Sequence, residues 1–148
     1  MTETAQPSAR VITPSRTVTE TDIAMFAGMS GDYHPAHTNE VYASKNKLIG
    51  RRVAHGLLIL SMSEGLFIRT NFFDWERQPL LSLGFEKVKF PNPVFAGDTI
   101  HSEFVTQSDR ESKSRPGSRV VVMKCECKNQ NGQTVCEYEH VMILEKSV

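Results

Sequence analysis

The segment Gly31-Asp32-Tyr33-His34-Pro35-Ala36-His37 sets a carboxylate and an imidazole five positions apart, with a proline between them. Proline locks its own φ near about −65° and has no N–H to donate, so it stiffens the chain joining the two groups. The spacing predicts a rigid turn, not a helix, aiming Asp32 and His37 into one cleft. Free imidazole titrates near neutral pH, which suits repeated proton exchange. A carboxylate and an imidazole sharing one water are the minimum equipment for adding water to an activated double bond, or for removing it. Farther along, Ala54-His55-Gly56 stands at the mouth of an apolar run. There the first N–H groups of a helix would point outward with no partner of their own.

The elements around these residues can be read from pattern. Residues 1–10 are polar and small and are expected to form a flexible leader, followed by one domain over 11–148. Residues 11–18 read as a short strand. Thr19 then caps a helix whose first turn carries Glu20 and Asp22, whose packed face holds Ile23, Phe26, Ala27 and Ser30, and which Gly31 stops. A second short helix is expected over 39–43 and a basic connection over 45–53. Residues 57–68 are apolar on nearly every side, the mark of a buried helix. Strand patterns follow at 81–90, 100–107, 120–128 and 134–144, with a polar loop at 108–118 and a hairpin turn at Asn129-Gln130-Asn131-Gly132. A buried helix followed by strands joined through short turns is an α+β layout.

Bulk properties narrow the function classes. The 148 residues carry 17 Lys plus Arg and 17 Asp plus Glu, so no field of one sign draws the chain to nucleic acid or an anionic membrane. Basic residues cluster only locally, at Lys45, Lys47, Arg51 and Arg52 and at Arg110, Lys113, Arg115 and Arg119. These are solvated loops, or one of them meets the phosphates of a nucleotide-bearing substrate. The three cysteines are an odd number and residues 1–14 have no apolar core of export-signal length, which together predict a reducing, cytoplasmic setting. Cys125-x-Cys127 lacks the second half of a zinc site, and strand alternation puts both thiols on one face, so no metal is expected. Residues 71–80, with Phe72, Phe73, Trp75 and Pro79, either line an acyl pocket or meet a partner subunit.

Gly31-Asp32-x-x-Pro35-x-His37, followed by Ala54-His55-Gly56-Leu57, resembles the signature of MaoC-like dehydratases and (R)-specific enoyl-CoA hydratases. Lys89-Phe90-x-x-Pro93-Val94-Phe95-x-Gly97-Asp98 is similar to that family's second recurring segment. The resemblance implies a hot-dog fold, a long central helix wrapped by an antiparallel sheet, paired as a homodimer or higher homo-oligomer. It implies reversible hydration of an enoyl thioester of coenzyme A or an acyl carrier, in fatty acid metabolism, with no cofactor beyond that substrate. Carried over by position, Asp32 and His37 are the catalytic pair and the Gly56 N–H receives the thioester oxygen. His55, which ties the helix entry, Ser61 and Glu64 complete the substrate-binding set, and no metal takes part. Two positions depart from the pattern: His34 stands where the family most often has Asn, and Glu64 where some hydratases have a hydroxyl residue near the acid. If Glu64 points inward it raises a neighbouring carboxyl pKa; if the alignment slips, Ser61 or Ser63 supplies the hydroxyl. A hot-dog thioesterase and a non-catalytic acyl-thioester-binding subunit are the competing functions.

Overall fold

The computed structural model describes residues 9–145. Most of the expected leader therefore lies outside the described residues, but Arg10 opens a strand. β1 (Arg10–Ile12) and β2 (Arg16–Thr17) replace the single expected strand, with Thr13-Pro14-Ser15 between them, and both pair antiparallel with β4 (Thr99–Glu111). Proline supplies no ladder donor, which accounts for the break. The sheet runs β1-β4-β5-β6-β3, with β3 (Leu80–Lys89), β5 (Ser118–Lys128) and β6 (Thr134–Glu145) all antiparallel to their neighbours. β4 extends through Glu111, so the polar loop after it is shorter than its composition suggested. Arg119 on β5 meets Asp109 on β4 and holds this end of the ladder together.

α1 (Glu20–Ser30) begins where expected. Thr19 accepts from the Asp22 N–H at 3.1 Å while Asp22 accepts from the Thr19 N–H at 2.8 Å, a reciprocal cap. Gly31 ends the helix at φ 77°, a left-handed conformation that a side chain would disfavour. Of the expected packed face, Ile23 and Ala27 are buried, Phe26 is half-buried and Ser30 is exposed.

α4 (Gly56–Ile68) is the central helix. Leu58, Ile59, Met62, Leu66 and Phe67 pack into a core with Ile100, Phe104, Met123, Cys125, Tyr138 and Met142. Each such large side chain contributes about 1.5–3 kcal/mol on burial. The helix is not covered all round, because Leu57, Ser61, Gly65 and Ile68 form an exposed stripe at helical spacing. Phe72, Phe73 and Trp75 close the far end of this core. Their half-buried rings surround Phe67, which stacks on Phe104 at 4.3 Å, so within this chain they cover that end of the core.

The three cysteines are buried between sheet and helix. Burial pushes the Cys125 and Cys127 thiols up to about 12 and about 11 and raises Cys136 as well, so all three stay protonated and unreactive at neutral pH.

Glu103 on β4 joins Lys128 at 3.0 Å and Arg10 at 2.5 Å, and these bonds hold its carboxyl below the usual carboxylate range. A lowered carboxyl stabilises the fold above its unfolded value and loses that contribution as pH falls through its folded value. Glu103→Gln is therefore expected to lower the melting temperature at pH 7 by no more than about 4 °C, with the gap closing below about pH 4. Melting curves across pH 7 to 3 check this, and a gap that stays constant in acid would contradict it.

Candidate active site

Three segments converge at the entry to α4. The first is the left-handed turn at Gly31, which delivers Asp32. The second is α2 (Pro35–Thr38), a single helical turn where a non-helical turn was expected. Pro35 occupies its first position, where a missing N–H costs nothing, and the His34 ring caps it by accepting from the Ala36 N–H at 3.1 Å. His34 is thus a helix cap. α3 (Glu40–Lys45) follows, capped by Asn39, one residue later than expected and longer. The third segment is residues 53–55. The Val53 N–H donates to Ala36 at 3.0 Å, and the Ala54 N–H donates to Val94 at 2.8 Å.

Asp32 and His37 meet as predicted. His37 Nε2 lies 4.0 Å from Asp32 Oδ2, with the imidazole largely covered and the carboxylate about half exposed. The other ring nitrogen, Nδ1, is 2.7 Å from the Val53 carbonyl. A carbonyl can only accept, so Nδ1 carries the proton and donates, and when His37 is neutral its lone pair is on Nε2, the nitrogen beside Asp32. The Asp32 Oδ1 accepts from the His34 N–H at 3.2 Å, which fixes the carboxylate's rotation. A water about 2.8 Å from each acceptor would bridge Nε2 and Oδ2 from one side. His37 also faces an open cleft of about 440 Å³ bounded by Ile23, Ala27, Tyr33, Thr38 and Arg52. Arg52 bonds to Glu40 at 2.9 Å and to Glu20 at 3.1 Å, so its charge is already matched on the protein. Among the other basic residues of that connection, Arg51 lies 4.0 Å over the Phe95 ring.

Gly56 is the first residue of α4, and His55 before it makes no side-chain cap. Among the described residues no partner is seen for the leading N–H groups of this helix, at the end where its dipole is positive. A Cβ on Gly56 would sit 2.9 Å from carbons of the Phe90 ring, so any side chain there would force that ring to move.

Glu64 does not join the pair within this chain. One carboxylate oxygen accepts from the Tyr138 hydroxyl at 2.7 Å, and the other lies 2.9 Å from His140 Nδ1, which draws Glu64 onto β6 instead of toward Asp32. Ser63 is fully buried and bonds to Ser102 at 2.7 Å and Tyr138 at 2.8 Å. The exposed Ser61 bonds back to the Leu57 carbonyl at 2.8 Å and borders a separate cleft of about 300 Å³ with Arg16, Gly65 and Arg69. Neither serine supplies a hydroxyl to Asp32 here. Two participants had no sequence signal as site residues. One is the Val53 carbonyl, a backbone group. The other is Phe90, whose ring meets Gly56 across the fold.

The donor atoms of Asp32, His37 and His55 lie within 4.8 Å of one another, close enough to suggest a cation. The ring geometry argues otherwise. The two imidazoles stack at 3.7 Å with planes 26° apart, so their in-plane lone pairs run nearly side by side and do not converge. His37 Nδ1 and His55 Nε2 are also committed to carbonyl oxygens. The cluster suits a proton better than a metal.

A central helix wrapped by an antiparallel sheet defines the hot-dog class of protein, and here an acid–imidazole pair lies beside that helix's N-terminus. The chain belongs to the MaoC-like domain family, whose sequence profile matches residues 3–130. It is 39% identical over 98 residues to the protein MaoC of Klebsiella aerogenes, a match covering 66% of this chain and 28% of that one. It is 38% identical over 86 residues to an (R)-specific enoyl-CoA hydratase of Rhodospirillum rubrum, covering 58% of this chain and 56% of the relative. The matches thus span about a quarter and about half of these two proteins. Among solved structures, a monoamine oxidase regulatory protein from Archaeoglobus is similar at TM-score 0.88 and 32% identity, covering 97% of this chain and 92% of that one.

Proposed function

We propose that this protein hydrates the 2,3 double bond of an enoyl thioester, and reversibly dehydrates the 3-hydroxyacyl thioester. The observation that carries the reading is the pairing of Asp32 and His37 at 4.0 Å, close enough for one water to reach both, beside the N-terminus of α4. A thioester carbonyl conjugated to an alkene is electrophilic at C3, and attack there builds negative charge on the carbonyl oxygen. The Gly56 N–H and the positive end of α4 receive that charge. Water bound between His37 Nε2 and Asp32 Oδ2 gives both protons to acceptors and keeps a lone pair for C3. The pair removes one proton as the C3–O bond forms, and a proton is returned to C2 from the same side. No electrons are exchanged, so the reaction asks for no redox cofactor; the coenzyme A or acyl-carrier thioester is the substrate.

The same reading includes a homodimer in the cytoplasm. Leu81, Leu83, Phe85 and Val88 on the outer strand β3 are exposed, and a second copy packed against this strand would cover them. Among the described residues no helix is long and apolar enough to cross a membrane. Product analysis tests the chemistry. Hydration adds the mass of one water and leaves the thiol acylated, whereas free thiol without that hydrated product would mark a thioesterase and overturn the proposal.

A further inference from the structure

His55 is 3% exposed, and its two ring nitrogens are used very differently. Nε2 lies 3.0 Å from the backbone carbonyl of Asp32, 23 positions earlier, and must carry the proton because that oxygen only accepts. Nδ1 is then left with a bare lone pair, buried and without a partner among the described residues. An apolar side chain would fill the space without burying that lone pair, so the ring's value lies in what Nε2 and the ring face hold. The face is occupied by His37, stacked at 3.7 Å, and the ring also touches Phe26 of α1 at 4.9 Å.

We propose that His55 is the positioning residue of the acid–imidazole pair, its Nε2–H gripping the Asp32 backbone while its face supports the His37 ring. One side chain thereby sets the carboxylate, the imidazole and, through its place directly before Gly56, the helix end that receives the oxyanion. The inference rests on the hydratase reading for its kinetic consequence, but its structural consequence stands apart from any substrate.

Three variants separate the two grips. His55→Gln keeps an N–H near the Nε2 position, His55→Phe keeps a ring face, and His55→Ala keeps neither. His55→Ala is expected to lower kcat for enoyl-CoA hydration about 100-fold, the scale of a misplaced catalytic pair. KM should stay within about twofold, and the Gln and Phe variants should each recover part of kcat. Side-chain nitrogen NMR supplies the second readout. His37 should hold its proton on Nδ1 in the wild type, and in His55→Ala the unsupported ring should slip from the Val53 carbonyl and spread its proton over both nitrogens. The proposal is overturned if His55→Ala keeps kcat within about threefold of wild type. It is equally overturned if all three variants fall together with loss of the unfolding transition, which would mark a merely structural residue. Should the wild type hydrate no enoyl-CoA, the hydratase reading fails alone; an unchanged His37 tautomer in His55→Ala would then still overturn the positioning role.

Discussion

His37→Ala is expected to lower kcat for enoyl-thioester hydration by about 10³-fold, the scale of losing a positioned acid–base group. The fold should barely register the change. The variant gives up the bond from Nδ1 to Val53, but residues 53–55 remain tied to α2 by the Val53 N–H and to the Val94 segment by the Ala54 N–H. What disappears is the single nitrogen lone pair facing Asp32. Asp32→Asn probes the opposite wall by a different route. Its side chain has the same shape and can still accept from the His34 N–H at the Oδ1 position. At the Oδ2 position it offers a donor where the water needs an acceptor, so the water can no longer give both protons and attack with its lone pair. A comparable loss, about 10²–10⁴-fold, is expected. Initial rates and melting temperatures of both variants check this, and more than a tenth of wild-type activity in either would remove that residue from the chemistry.

The second large effect concerns a backbone group, which side-chain truncation cannot reach. Proline removes an N–H, and the first position of a helix tolerates proline because that N–H has no partner in the helix. Gly56 is at that position, and His55 before it has φ −63° and ψ 135°, the extended conformation that a following proline requires. The obstacle is Phe90, whose ring a side chain at 56 would meet at 2.9 Å. Phe90→Ala makes room. The double variant Gly56→Pro/Phe90→Ala, compared with Phe90→Ala alone, should lose about 10²–10³ in kcat while keeping a cooperative unfolding transition. Equal kcat in the two would show that the Gly56 N–H does not receive the oxyanion.

The parts of this molecule legible in its sequence are those set by local chemistry. Thr19 and Asp22 announce the start of α1 because a cap is satisfied within one turn, and Gly31 announces its end because few other residues adopt that backbone conformation. The acid–imidazole pair was legible because one short segment carries both groups. α2 was misread as a non-helical turn, although Pro35 is a first-position signal; the cap is the His34 ring, a less usual acceptor than Ser, Thr, Asp or Asn. The direction of Glu64 was not legible for another reason. It depends on Tyr138 and His140, more than 70 positions away, which no helical periodicity contains. The packing of Phe72 and Trp75 on Phe67 was likewise not legible, since it depends on how the core folds. The reach of His55 to the Asp32 carbonyl was invisible because it joins a side chain to a distant backbone atom.

The central claim is most directly tested by the conjugated enoyl-thioester absorbance of crotonyl-CoA, followed with wild-type protein and approached from both directions. The account predicts that the absorbance falls to an equilibrium value without release of thiol, and that 3-hydroxybutyryl-CoA regenerates it to the same level. Saturable binding of crotonyl-CoA with no absorbance change in either direction, repeated for longer and aromatic enoyl-CoAs, would contradict it and leave an acyl-thioester-binding domain without the chemistry.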